Sequence, residues 1–81
     1  MTNIEIAVIE AYLCQGWSHR KIQEEILGIE APVRGGGFKT LEILHAYGVT
    51  KEYKSIFKNK YFDSELFKKA GNIQNYLRKQ S

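Results

Sequence analysis

Arg34, three consecutive glycines at 35–37, Phe38 and Lys39 run directly into an apolar segment of helical periodicity. Residues of these types in this order can hold an anion. Glycines at a helix start leave backbone N–H groups uncovered, and the helix dipole adds partial positive charge there. Arg34 and Lys39 bracket Gly35, Gly36 and Gly37. The same glycines also have a purely conformational use, since they allow positive φ and close helix approach. Both readings stand at this level. A nucleotide-hydrolysing loop does not: that chemistry needs G-x-x-x-x-G-K-[ST] after a strand, and here Phe38 separates Gly37 from Lys39 and Thr40. The dinucleotide fingerprint G-x-G-x-x-G is not matched either.

Other reactive side chains are few. His19 and His45 are the only histidines and Cys14 is the only cysteine. No pair among them has zinc-ligand spacing, so neither a metal nor a cofactor is expected. Ser18, His19 and Glu24 lie close in sequence, but Ser18 is better explained as a helix cap, and no set of acid, base and nucleophile converges. The chain is therefore read as non-enzymatic. One cysteine excludes an intrachain disulfide and fits a reducing, cytoplasmic setting.

Charge is divided along the chain. Residues 1–33 set Arg20 and Lys21 against Glu5, Glu10, Glu24, Glu25 and Glu30, a net of −3. Residues 34–81 set ten lysines and arginines against Glu42, Glu52, Asp63 and Glu65, a net of +6, which together make the overall +3. A basic C-terminal half points to an anionic partner, with nucleic acid first in line. Arg34, Lys39, Lys51, Lys54 and Lys58 are the expected phosphate contacts. His19, Arg20 and Thr40 are the candidates for base edges. Tyr53, Phe57, Tyr61 and Phe62 interleave with Lys51, Lys54, Lys58 and Lys60, a mixture that single-strand binders use for stacking. It is equally the pattern of a helix with a core side and a wet side. Tyr53 and Phe57 are assigned to the core; Tyr61 and Phe62, nearer a loop, are left between the two roles.

The elements that must position these residues read as helices. Eighty-one residues make one domain, 1–81, with enough apolar content for a single core. A chain this small gains from self-association, so a homodimer is considered. No apolar run approaches the ~18 residues of a membrane span. The first residues carry glutamates and no basic segment, which argues against a signal peptide. Five helical segments are expected. The first, 2–14, has Thr2 and Glu5 in capping-box spacing and a stripe of Ile4, Ala7, Val8, Ala11 and Tyr12, widened by Ile6, Ile9 and Leu13. The second starts at Ser18 and stops at Gly28, with Ile22 and Ile26 inward and His19, Arg20, Gln23 and Glu24 outward. Pro32 bars helix in the connection. The third starts near residues 36–38 and ends at Gly48. The fourth is capped by Thr50, with Tyr53, Ile56 and Phe57 inward. The last starts at Asp63 or Ser64 and runs through Gly71, which weakens it by ~1 kcal/mol relative to alanine and is taken as a mark of close helix contact. The expected fold is all-α: a small bundle of four to five helices.

Ser18-His19-Arg20-Lys21-Ile22-Gln23-Glu24-Glu25-Ile26-Leu27-Gly28-Ile29 resembles the first helix and turn of helix-turn-helix DNA-binding domains, and the resemblance extends over residues 4–48. It implies a helix-turn-helix-like core whose third helix faces DNA with Lys39, Thr40, Glu42 and His45. The connection of about eight residues after Gly28 is longer than that family's three or four. With Arg34 and three glycines it would favour phosphate or shape readout over base contacts. The resulting expectation is a small DNA-binding protein. The alternative is a phage-type or accessory protein that binds and modulates a nucleic-acid-processing enzyme, with Glu24, Glu25 and Glu30 occupying a basic groove. A phosphate-bearing small ligand at Gly35–Gly37 is a third option.

Overall fold

Thr2 and Glu5 close the reciprocal capping box that their spacing predicts. The Glu5 N–H donates to Thr2 Oγ1 at 3.1 Å, and the Thr2 N–H donates to Glu5 Oε1 at 2.8 Å. They start α1 (Asn3–Leu13), the central element of a computed structural model that describes residues 1–32 and 38–80. The chain continues through α2 (His19–Glu25), α3 (Lys39–Ala46), a 3-10 turn (Lys51–Tyr53) leading into α4 (Lys54–Phe57), α5 (Ser64–Ala70) and α6 (Ile73–Gln80). Every regular element among the described residues is helical, as expected, but there are six α-helices where four or five were read. No helix among them is long and apolar enough to cross a membrane.

α1 is packed by α2, α3 and α4, which explains why its sequence is apolar on more than one face. Ile6, Val8, Ile9, Ala11, Tyr12 and Leu13 are all buried. Ile4 is not; it shares a side with Val8 and Ala11 but lies a turn earlier, where it stays 55% exposed. Ser18 caps α2 as expected, its hydroxyl accepting from the Lys21 N–H at 3.2 Å. The 3-10 turn begins after Thr50, but that hydroxyl donates to the Glu52 carboxylate instead of capping the backbone. α4 is a single turn, and Phe57 alone takes its inward direction. Ile56, expected inside, is 44% exposed.

The extra helix arises at Gly71. Its φ of +85° ends α5 in the left-handed conformation, and an added Cβ would meet nothing within 4 Å. Gly71 therefore terminates a helix and marks no close contact, contrary to the reading of one continuous segment. Asn72 then opens α6, accepting from the Asn75 N–H at 2.9 Å, while Asn75 Nδ2 donates back to the Ala70 carbonyl at 3.2 Å. Glycine followed by a capping asparagine is a stop-and-restart signal. The apolar stripe Leu66, Ala70, Ile73, Leu77 continues across it and masks it in the sequence.

Tyr76 organises the C-terminal half. Its ring is fully buried and lies 5.3–5.9 Å from the ring centroids of Phe57, Phe62 and Phe67. Its hydroxyl accepts from the Asp63 N–H at 3.1 Å and from Gln80 Nε2 at 2.9 Å. Asp63 in turn caps α5, accepting from the Leu66 N–H at 3.1 Å. Among the described residues, backbone bonds tie these C-terminal elements to the earlier helices: Ile73 N–H to the Tyr47 carbonyl and Asn59 N–H to the Cys14 carbonyl, both 3.0 Å.

Tyr76→Phe keeps the ring and removes the acceptor for the part-buried Asp63 N–H. It should lower the unfolding free energy by about 1–3 kcal/mol in urea titration. A change within error would show that the hydroxyl contributes nothing to the α5–α6 junction.

Candidate anion-binding site

The N-cap of α3 is Phe38, which has no side-chain oxygen with which to cap the helix. The deficiency is met from another helix. Gln23 of α2 is buried, and its Oε1 accepts from the Thr40 N–H at 3.3 Å. This bond sets the start of α3 against α2. It also corrects two expectations. Gln23, read as outward-facing, is inside, and Thr40, read as a base-edge contact, is 0% exposed. Thr40 Oγ1 is buried with no hydrogen-bond partner among the described residues. α3 therefore turns the Thr40 side toward α2 and leaves Lys39, Glu42 and His45 exposed.

Where α3 and the following segment meet α1 and α2, a pocket of about 230 Å³ opens. Tyr12, Leu41, Leu44 and Val49 form its apolar walls; His19, His45, Thr50 and Lys51 form its polar ones. The His19 ring stacks on Tyr12, with centroids 5.2 Å apart and an interplanar angle of 24°, and lies 6.1 Å from the Phe38 ring. Lys54 Nζ sits 4.4 Å from the Tyr12 ring centroid, close enough for a cation–π contact. Burial pushes the His19 pKa below its ordinary value, and the nearby positive charge of Lys54 and His45 pushes it the same way. Its Nδ1 is buried and has no hydrogen-bond partner among the described residues. Burial raises the Tyr12 pKa, as does the Glu52 carboxylate. That carboxyl is held below its usual value first by the Thr50 hydroxyl. The pocket thus combines apolar walls with a polar side supplied by α2, α3 and the 3-10 turn.

The expected site residues divide into three groups. His19 and Lys51 line the pocket, and Lys54 is beside it. Arg20, Lys39 and Lys58 lie outside its walls. Arg20 donates to the Pro32 carbonyl at 3.4 Å and approaches Glu24 at 3.9 Å. Lys39 pairs with Glu42 at 3.1 Å, and Lys58 is exposed just after α4. Arg34, Gly35, Gly36 and Gly37 lie outside the described residues. Among the interleaved aromatics, Phe57 and Phe62 are buried, Tyr53 is half-buried, and Tyr61 is 84% exposed between the lysine-rich turn and α5. Tyr12, Leu41, Leu44, Val49 and Thr50 line the pocket without having been legible as site residues, and Tyr12 is the aromatic among them. On an apolar helix it carries no signal that separates a pocket wall from a core residue. Among the described residues no group of three or more His, Cys, Asp or Glu could hold a metal ion. Comparison with protein-family models, curated protein sequences and solved structures gives no match.

Because His19 is harder to protonate in the folded chain than in the unfolded one, acid favours unfolding through it. The wild type should keep its full stability above the ordinary histidine pKa of about 6.5 and lose part of it as pH falls below that value toward the depressed folded pKa. Denaturant midpoints between neutral pH and the onset of general acid unfolding check this. His19→Gln should flatten that stretch of the profile, and an unchanged slope would show that His19 titrates alike in both states.

Proposed function

We propose that this chain is a small, non-enzymatic, helix-turn-helix-like DNA-binding protein that grips the phosphate backbone from its basic half. The run of surface cations through the 3-10 turn, α4 and the turn after it, with Lys51, Lys58 and Lys60 exposed and Lys54 partly so, is the observation that carries the reading. Mutual packing of α1, α2 and α3 supports the helix-turn-helix comparison, and the α2–α3 hydrogen bond gives the third helix a fixed pose. Base reading by α3 is weakly supported: Thr40 is buried and Lys39 is paired with Glu42. Phosphate contact therefore takes precedence over base contact, and Lys51, Lys54 and Lys58 are its principal carriers, with Arg34 and the glycines at 35–37 as further candidates.

A second reading retains one specific observation. Glu24, Glu25, Ile29 and Glu30 are all exposed along the end of α2 and the segment after it. An apolar side chain among acids suits contact with a basic partner surface, as in an accessory protein that modulates a nucleic-acid-processing enzyme. Charge reversal at Glu24 and Glu25 separates the two readings, because DNA affinity should hold or rise under the first and enzyme modulation should collapse under the second.

Binding to duplex DNA, measured by fluorescence anisotropy across a salt series, should weaken steeply as salt rises. Lys51→Gln and Lys58→Gln should each weaken it alike on unrelated sequences and reduce the magnitude of the log–log salt slope by about 1. Salt-independent binding, or none near physiological ionic strength, overturns the proposal.

A further inference from the structure

The pocket has properties that a surface track for a continuous backbone does not require. Its volume of about 230 Å³ lies just below the range of ~300–1,000 Å³ typical of small-molecule sites. Leu41, Leu44 and the Tyr12 ring give it an apolar side, whereas a phosphodiester track needs only cations. Its three nitrogen-bearing side chains come from three separate elements: His19 from α2, His45 from α3 and Lys51 from the 3-10 turn. His19, which lines the pocket, has a buried Nδ1 with no partner among the described residues, although buried polar atoms are normally satisfied.

We propose that this pocket seats a terminal phosphomonoester, with the phosphate against His19, His45 and Lys51 and the organic body against Leu41, Leu44 and Tyr12. A phosphomonoester has three free oxygens and close to two negative charges above its second pKa of about 6. It can therefore accept from donors on three elements at once. A carboxylate or an internal phosphodiester, each with two free oxygens and one charge, leaves one of them unmet.

The charged surroundings allow such a ligand. Glu52 is the acid that acts on Tyr12, and its carboxylate is engaged by the Thr50 hydroxyl and lies near Lys51. Glu42 of α3 is paired with Lys39, and Glu24 of α2 with Arg20. On α1, Glu10 acts on Cys14, and Glu5 is bonded to Thr2. Lys54 of α4 adds positive charge beside His19. A bound dianion offsets the repulsion from Lys54 and His45 that disfavours a proton on His19, so binding and protonation of His19 reinforce each other. Affinity should rise as pH falls from 8 to about 6 and decline further down, where the ligand itself takes up a proton.

The site does not depend on duplex binding, and the experiment keeps the two apart. Imidazole resonances of the full chain are followed by NMR during titration with adenosine 5′-monophosphate, with adenosine as the uncharged control. The expected result is a saturable shift of both His19 and His45 with the monophosphate alone, and weaker binding at pH 8 than at pH 6. Lys51→Gln and His45→Gln, both changes of exposed side chains, should each weaken it by about tenfold, or ~1.4 kcal/mol. Competition with a 5′-phosphorylated oligonucleotide, against the same strand bearing a 5′-hydroxyl, identifies the source. Displacement by the phosphorylated strand only marks a strand end as a ligand, and displacement by neither marks a free phosphomonoester. No shift at millimolar monophosphate, an equal response to adenosine, or unchanged affinity in both variants overturns the proposal. Duplex binding by hydroxyl-ended DNA in the same preparation would survive that failure.

Discussion

The placement of α3 depends on one side chain of α2. An eight-residue helix is too short to be stable alone in water, and this one begins at a phenylalanine that cannot cap it. The Gln23 carboxamide supplies the missing acceptor, but only if α2 and α3 are already in register. Local helix formation and tertiary packing are thereby made one event. The same contact determines which side of α3 is spent on the interior, burying Thr40 and leaving Lys39, Glu42 and His45 outside. The pocket follows from that choice, because Leu41, Leu44 and His45 reach it only in this rotation of the helix.

A second organising contact holds the other end of the molecule. Tyr76 packs among Phe57, Phe62 and Phe67, and its hydroxyl anchors the residue that caps α5. With these rings committed to the core, the lysine-rich turn after α4 retains Tyr61 as its exposed aromatic. The elements after α3 thus form an aromatic core carrying a positively charged exterior. It is joined to α1 by the Asn59–Cys14 bond and to α3 by the Ile73–Tyr47 bond, which fixes the cations of the 3-10 turn and α4 relative to the histidines of α2 and α3.

Cations at the pocket are held by different means. Lys54 rests over Tyr12, which also stacks on His19, so a lysine and a histidine share one aromatic support. Such contacts cost less desolvation than a buried ion pair and keep both side chains available to an incoming anion. Lys39 is different: its surface pair with Glu42 is worth little to stability but offsets charge at the start of α3. Among the described residues, the positive character of this region therefore lies in the 3-10 turn and α4 more than at the start of α3.

Sequence alone determined the features whose physics is local. The capping box at Thr2 and Glu5, the Ser18 and Asp63 caps, the glycine stops after α1, α2 and α3, and the all-α class all depend on groups within a few residues of one another. The charge division was equally legible, being a matter of composition. Tertiary structure decided the rest. It placed Gln23 and Thr40 inside and left Ile4 and Ile56 outside, whereas the break at Gly71 is a local signal that a continuous apolar stripe conceals. It also brought Tyr12, His19, His45 and Lys51 to one pocket from positions up to 39 residues apart. Periodicity reports which face of a helix is apolar; which neighbour covers that face, and how far along, is settled only when all the helices compete for the same core.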